Sequence, residues 1–395
     1  MRIRSFVASA ALAGAALIVP LGLAAQTAAP IKIPAILSLT GYGAFPSQGD
    51  RQSMLLIEAL VNRTGGIGPQ HRPIHFDITD DGSNPQTAVQ LQNQILASKA
   101  PIMLGPGLTQ QCNAAAPLVR DNGPAQYCLS PAIHPAPGGY IWSTSVSLRD
   151  DIIVEIRYLR LLGLKRMAIL SSTDATGQES DHDFDIAKSL PENKSVEFVA
   201  REHFNLTDVS VAAQMTRIKA ANPQVLLTST VGPAFGTELH GITDAGLDVP
   251  VVASNGDMVT AQIQSYKAFV PKKLIFAGVL ASVQNAVGPG PVKDAQKVYF
   301  DAFKAAGIKP EFTNTLGWDP TMIVLDAIRH LGPNATPQKY RDYINGLHGF
   351  AGIDGIYDFR DGSGHGIGQN AVIMMRWDAA TGEFKQISKR NGLLK

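Results

Sequence analysis

Four short segments gather hydroxyls, amides and free backbone N–H groups: Ser38-Leu39-Thr40-Gly41, Gly105-Pro106-Gly107-Leu108-Thr109, Ser130-Pro131-Ala132 and Ser254-Asn255-Gly256-Asp257. That chemistry suits holding a small polar or anionic molecule. The second segment joins a β-rich run to a helical one, so the helix N-terminus and the Thr109 hydroxyl could together take an anion. It is no Walker loop, because no Gly-Lys-Ser/Thr follows, and it lacks the third glycine of a dinucleotide fingerprint. Taken singly, it also reads as a plain tight turn. Four such turns at the carboxyl ends of strands are what a ligand cleft in an open α/β sheet requires.

Other reactive residues are fewer. Glu179-Ser180-Asp181-His182-Asp183 crowds acids around a histidine. A helix start gives acids a dipole reason to be there, so no metal is expected. His134, four residues after Ser130, reads as a hydrogen-bonding residue near the same turns. No Gly-x-Ser-x-Gly elbow, His-Glu-x-x-His pair or Cys-x-x-Cys motif occurs, so nothing supports catalysis and no cofactor is implied.

The elements that would position these turns alternate. Short β-rich runs at 31–37, 74–79, 102–104, 126–129, 166–170, 196–203, 225–229, 251–254 and 274–277 are separated by amphipathic helical windows, including 51–62, 110–120 and 178–190. Such alternation builds parallel sheets covered by helices on both faces. Asn84-Pro85 and Asp319-Pro320 each place a capping side chain before a proline at a first helical position. Beyond residue 278, three helical windows precede an expected antiparallel pair of strands, 355–359 with 372–377.

Composition limits the partners. The 395 residues are 45% hydrophobic and 17% charged, more than one core usually organises, which predicts two lobes. With 34 basic residues against 33 acidic and no long run of either sign, a nucleic-acid surface is not expected. Arg2 and Arg4, an apolar stretch from residue 6 to 19 and small residues after Pro20 have the layout of a secretory signal peptide over residues 1–29. Its removal leaves a net charge of −1. An uncleaved anchor would export the same domain. In an oxidising compartment Cys112, in a helix's first turn, and Cys128, near the end of the next strand, could pair, closing a loop worth about 3 kcal/mol. Two separately buried thiols is the other reading.

Together the motifs resemble the branched-chain amino-acid-binding type of ABC-transporter substrate-binding protein. The resemblance runs from about residue 31 to 385. It is carried by Leu37-Ser38-Leu39-Thr40-Gly41, Asp80-Asp81-Gly82-Ser83-Asn84-Pro85, Gly105-Pro106, Ser130-Pro131-Ala132, Ala221-Asn222-Pro223 and Gly317-Trp318-Asp319 in that order. It implies a type I periplasmic binding fold: two doubly wound, Rossmann-like α/β lobes joined by three hinge crossings, near 143–147, 278–282 and 352–356. The first lobe would comprise 30–146 with 280–352, and the second 147–279 with 353–395.

By the same resemblance, Thr109 matches the hydroxyl that binds an amino acid's carboxylate, and Ala132 and His134 fall on the next ligand loop. Thr176 and Val231 stand where aromatic residues often cover the ligand. Asn255 stands where an acid often meets the ammonium, with Asp257 as its nearest substitute; Tyr42, Phe45 and Trp318 offer apolar or stacking surface. The expected protein is a monomeric, periplasmic receptor, not an enzyme. It would pass an amino acid or an organic acid to an ABC permease in the inner membrane. A ligand-sensing module of the same fold is the alternative.

Overall fold

The computed structural model describes residues 29–284 and 286–395. Nearly all of the expected signal segment, residues 1–28, lies outside the described residues. No helix among the described residues is long and apolar enough to cross a membrane.

The first lobe begins with β1 (Ile31–Leu37), α1 (Ala44–Arg63), β2 (Ile74–Asp80), α2 (Pro85–Ser98), β3 (Ile102–Leu104), α3 (Thr109–Val119), β4 (Ala125–Cys128) and β5 (Ile141–Ser143). Its five strands form a parallel sheet in the order β2-β1-β3-β4-β5. Inside the sheet, β3 and β4 are buried at every position, as strands covered on both faces must be. Asn84 caps α2 as expected, accepting hydrogen bonds from the N–H groups of Gln86 and Thr87, with Pro85 at the first helical position.

The chain then crosses to α4 (Leu148–Leu161), β6 (Arg166–Ser172), α5 (Ala175–Ser189), β7 (Glu197–Phe204), α6 (Ala212–Ala220), β8 (Val225–Ser229), α7 (Pro233–Asp244), β9 (Val251–Ala253), α8 (Thr260–Ser265) and β10 (Leu274–Val279). It returns through α9 (Pro291–Ala305), α10 (Phe312–Leu331), α11 (Pro337–Gly346), β11 (His348–Ala351) and β12 (Ile356–Asp358). It ends in the second lobe with β13 (Val372–Asp378) and β14 (Glu383–Gln386). The second sheet runs β14-β13-β10-β9-β8-β6-β7, with β13 and β14 antiparallel to their neighbours.

Each lobe has its own apolar core, and the cores locate the crossings. Trp142 belongs to the first core and Val146 to the second; Leu280 belongs to the second and Ala281 to the first. The third crossing differs from expectation. Ile353, Tyr357 and Phe359 all pack in the first core, Ile367 packs against both, and Ala371 is buried in the second. The expected pairing of 355–359 with 372–377 is therefore not made. Instead β12 pairs with β11, and β13 pairs with β10 and β14. His365, on this third crossing, is buried, and its two ring nitrogens face the carbonyls of Ser145 at 3.1 Å and Ile133 at 3.0 Å. It thus ties the third crossing to the first.

Helix α10 also departs from expectation. Pro320 lies inside the helix rather than at its start. A proline there leaves the carbonyl four residues back, Leu316, without its helical donor. The Thr144 hydroxyl, on the first crossing, donates to that carbonyl at 2.6 Å. Asp319, freed from capping, accepts from the N–H groups of Ile353 and Asp354 and from the Tyr357 hydroxyl. The early turns of α10 carry Phe312 and Leu316 into the second core while Trp318 enters the first. One helix thereby braces both lobes.

Candidate ligand-binding cleft

Between the lobes lies a small cavity of about 50 Å³. From the first lobe it is lined by Pro46, the turn from Gly107 to Thr109, the segment from Leu129 to Ala132, and Leu316. The second lobe contributes Leu148, Thr176, Val231 and the segment from Ser254 to Gly256. Three of the four expected turns therefore converge on it. The Ser38 turn instead packs beside them, its Ser38 hydroxyl donating to buried Asp81 at 2.7 Å.

Local structure fixes the polar edge. Gly105 has φ +82°, and a Cβ there would stand 2.1 Å from the Ile36 carbonyl oxygen, so only glycine lets the loop leave β3 so close to β1. Thr109 is the first residue of α3. Its hydroxyl shares a 2.8 Å hydrogen bond with that of Ser130, and the Thr176 hydroxyl, from the second residue of α5, donates to it at 3.2 Å. Two helix N-termini thus bring donors to one point. Cys112 and Cys128 form a disulfide with Cα atoms 6.2 Å apart. It clamps the start of α3 to the end of β4, and with them the Thr109 and Ser130 loops.

Of the expected ligand residues, Thr109, Ala132, Thr176, Val231 and Asn255 meet at the cavity. The Asn255 amide is already committed, donating to buried Asp151 at 2.9 Å. Asp257 is fully buried beneath the turn rather than lining it; it accepts from the Gly232 N–H at 2.9 Å and from Gln262 at 3.0 Å. Burial pushes its carboxyl well above the ordinary range. It is not among the residues that line the cavity. Trp318 is core, its ring packed edge-on against Tyr299 with centroids 4.9 Å apart.

Tyr42 is not among the lining residues; its hydroxyl donates to Gln110 Oε1 at 3.4 Å. Its carbonyl meets the second lobe at Gly232, where a Cβ would come within 2.2 Å. Phe45 remains partly exposed. His134 reaches across to the second lobe, 2.6 Å from Glu179. That hydrogen bond holds the Glu179 carboxyl below its ordinary value, whereas burial holds neighbouring Asp183 above it.

Sequence reading missed the apolar wall formed by Pro46, Leu148 and Leu316. Leu148 directly follows the Ser147 cap of α4, a signal that the sequence carried. Leu316 lies before Pro320, which in sequence alone reads as a helix start, yet it is inside α10.

A family profile described as periplasmic binding protein matches residues 30–383. The chain belongs to that family. No curated protein matches it in sequence. Solved structures share the type I fold at low identity. A type 1 periplasmic binding protein from Bordetella pertussis Tohama I has a TM-score of 0.77 at 20% identity, over 90% of this chain and 99% of that one. A solute-binding protein of an ABC transporter from R. palustris, in complex with benzoate, gives 0.75 at 16%, over 93% and 97%. A leucine-binding protein from Thermotoga maritima gives 0.76 at 17%, over 91% and 98%. These neighbours share the fold of the family over nearly their whole length.

Proposed function

We propose that the chain is the exported solute receptor of an ABC importer, and that its ligand is a small monocarboxylate with an apolar body and no α-ammonium. The observation that carries this reading is the cavity's lining. Hydroxyls of Thr109, Ser130 and Thr176 meet at the start of α3; Pro46, Leu148, Val231 and Leu316 add apolar lining. No ionisable side chain among the described residues lines it. A carboxylate finds donors there, while a buried ammonium would have no charge partner.

The present cavity holds only a few waters, and Thr109 already touches Thr176 across the cleft. Uptake therefore requires the lobes to part about the three crossings and reclose on the ligand, with Thr176 completing the carboxylate's contacts. The closed form is then the one offered to an inner-membrane permease. The benzoate complex of the R. palustris protein supports this ligand class, and the leucine-binding neighbour marks the competing one. The work is capture and release without bond making, carried out by a periplasmic monomer.

Thermal unfolding with benzoate, benzamide, aliphatic acids and their amides tests the reading. A ligand at a hundredfold excess over Kd stabilises by about 2.7 kcal/mol. The acids are expected to raise the transition and the amides to leave it unchanged. Amides matching acids, or no response to any acid, would overturn the proposal.

A further inference from the structure

The His134 to Glu179 contact belongs to a larger grouping. His134 Nε2 lies 2.6 Å from Glu179 Oε1 and 3.7 Å from Asp183 Oδ2, and all three ligand atoms fall within 4.8 Å of one another. It is the one such grouping among the described residues. Glu179 and Asp183 stand one turn apart on the same face of α5, and His134 comes from the opposite lobe. The dipole reason for these acids fails in the structure, because α5 starts at Ala175 and its first turn holds no acid.

Asp183 supplies a second, independent observation. Its side chain is fully buried. Arg149 Nε donates to Oδ1 at 2.7 Å, while Oδ2 faces His134 with no hydrogen-bond partner. A buried carboxylate oxygen left without a partner is destabilising, and a cation would satisfy it.

We propose that His134, Glu179 and Asp183 form a divalent-cation site that pins the two lobes together beside the ligand cleft. One imidazole and two carboxylates suit Zn²⁺, which takes such ligands at about 2.0–2.2 Å with a water completing the shell. Ligand atoms of a tetrahedral ion at those lengths are roughly 3.3 Å apart. The two separations from His134, 2.6 and 3.7 Å, lie on either side of that value. Arg149 orients Asp183 as an outer partner. Two carboxylates against one guanidinium leave a net negative charge when His134 is neutral. A hollow of about 340 Å³ lined by His134, Ser147, Arg149 and Asp150 opens beside the grouping as an entry path. Because its ligands come from both lobes, the ion favours closure and is coupled to solute binding in the same direction.

The test is calorimetric titration of the metal-free chain with Zn²⁺, repeated with Co²⁺ while the visible spectrum is recorded. One ion per chain is expected, with the intense visible band of four-coordinate cobalt. His134→Ala and Glu179→Gln are expected to weaken Zn²⁺ at least tenfold. Both are partly exposed positions, and circular dichroism checks that the variants keep their fold. Absence of stoichiometric Zn²⁺ binding would overturn the proposal. So would unchanged affinity in His134→Ala, which would place the ion at another histidine. Failure of benzoate to bind would leave these outcomes untouched, since the ion requires only the closed lobes.

Discussion

Glu155 is buried in α4, one turn after buried Asp151, and burial pushes its carboxyl from an ordinary value of 4.5 up to about 8. Glu155→Gln keeps the shape and removes the titration. In the folded chain the carboxyl stays protonated across a range where the unfolded chain has released its proton. The folded state therefore binds more protons, and stability falls as pH rises from the unfolded value toward the folded one. At about 1.4 kcal/mol per pH decade, and allowing for partial titration at both ends, Glu155 alone removes roughly 3 kcal/mol between about pH 5 and about pH 8.

The assay is urea unfolding of both chains at those two pH values. The wild type's deficit relative to Glu155→Gln is expected to grow by that amount at the higher pH, whatever constant offset the amide introduces. An equal difference at the two pH values would refute the reasoning, because it would mean that Glu155 titrates alike in the folded and unfolded chains.

Three further outcomes follow from the geometry. Thr109→Val removes a hydroxyl at the carboxylate end while keeping its shape; losing a hydrogen bond to a charged group costs about 1.5–3 kcal/mol, so titration should show benzoate bound roughly tenfold to a hundredfold more weakly. Replacing Cys112 and Cys128 together by serine frees a loop with a sequence separation of 16 and should lower the unfolding free energy by about 3 kcal/mol. Trp318→Ala should cost about 3–5 kcal/mol of stability while benzoate affinity of the folded chain is retained, because the ring lies in the first core and not at the cavity.

The alternation of strands and helices was readable because each parallel strand, covered on both faces, leaves a short apolar run between amphipathic windows. The ligand turns were readable for a related reason: Thr109, Ser130 and Asn255 follow strands whose ends topology brings together. What escaped depended on contacts between distant residues. Pro320 looks like a helix start until the Thr144 hydroxyl is seen taking the place of its missing N–H at Leu316. Asp257 looks available in a turn until Gly232 and Gln262 claim it. After residue 347, β11 and β12 are only four and three residues long, too short for sequence pattern to name a partner. His134 and Glu179, 45 residues apart, meet only because two lobes close on each other.

Calorimetric titration with 4-methylpentanoate and with leucine, which differ at the α-ammonium, tests most directly whether this cleft recognises a carboxylate without a partner for an amine. The acid is expected to bind one to one and leucine at least tenfold more weakly. Leucine binding as tightly as the acid, or more tightly, would contradict it.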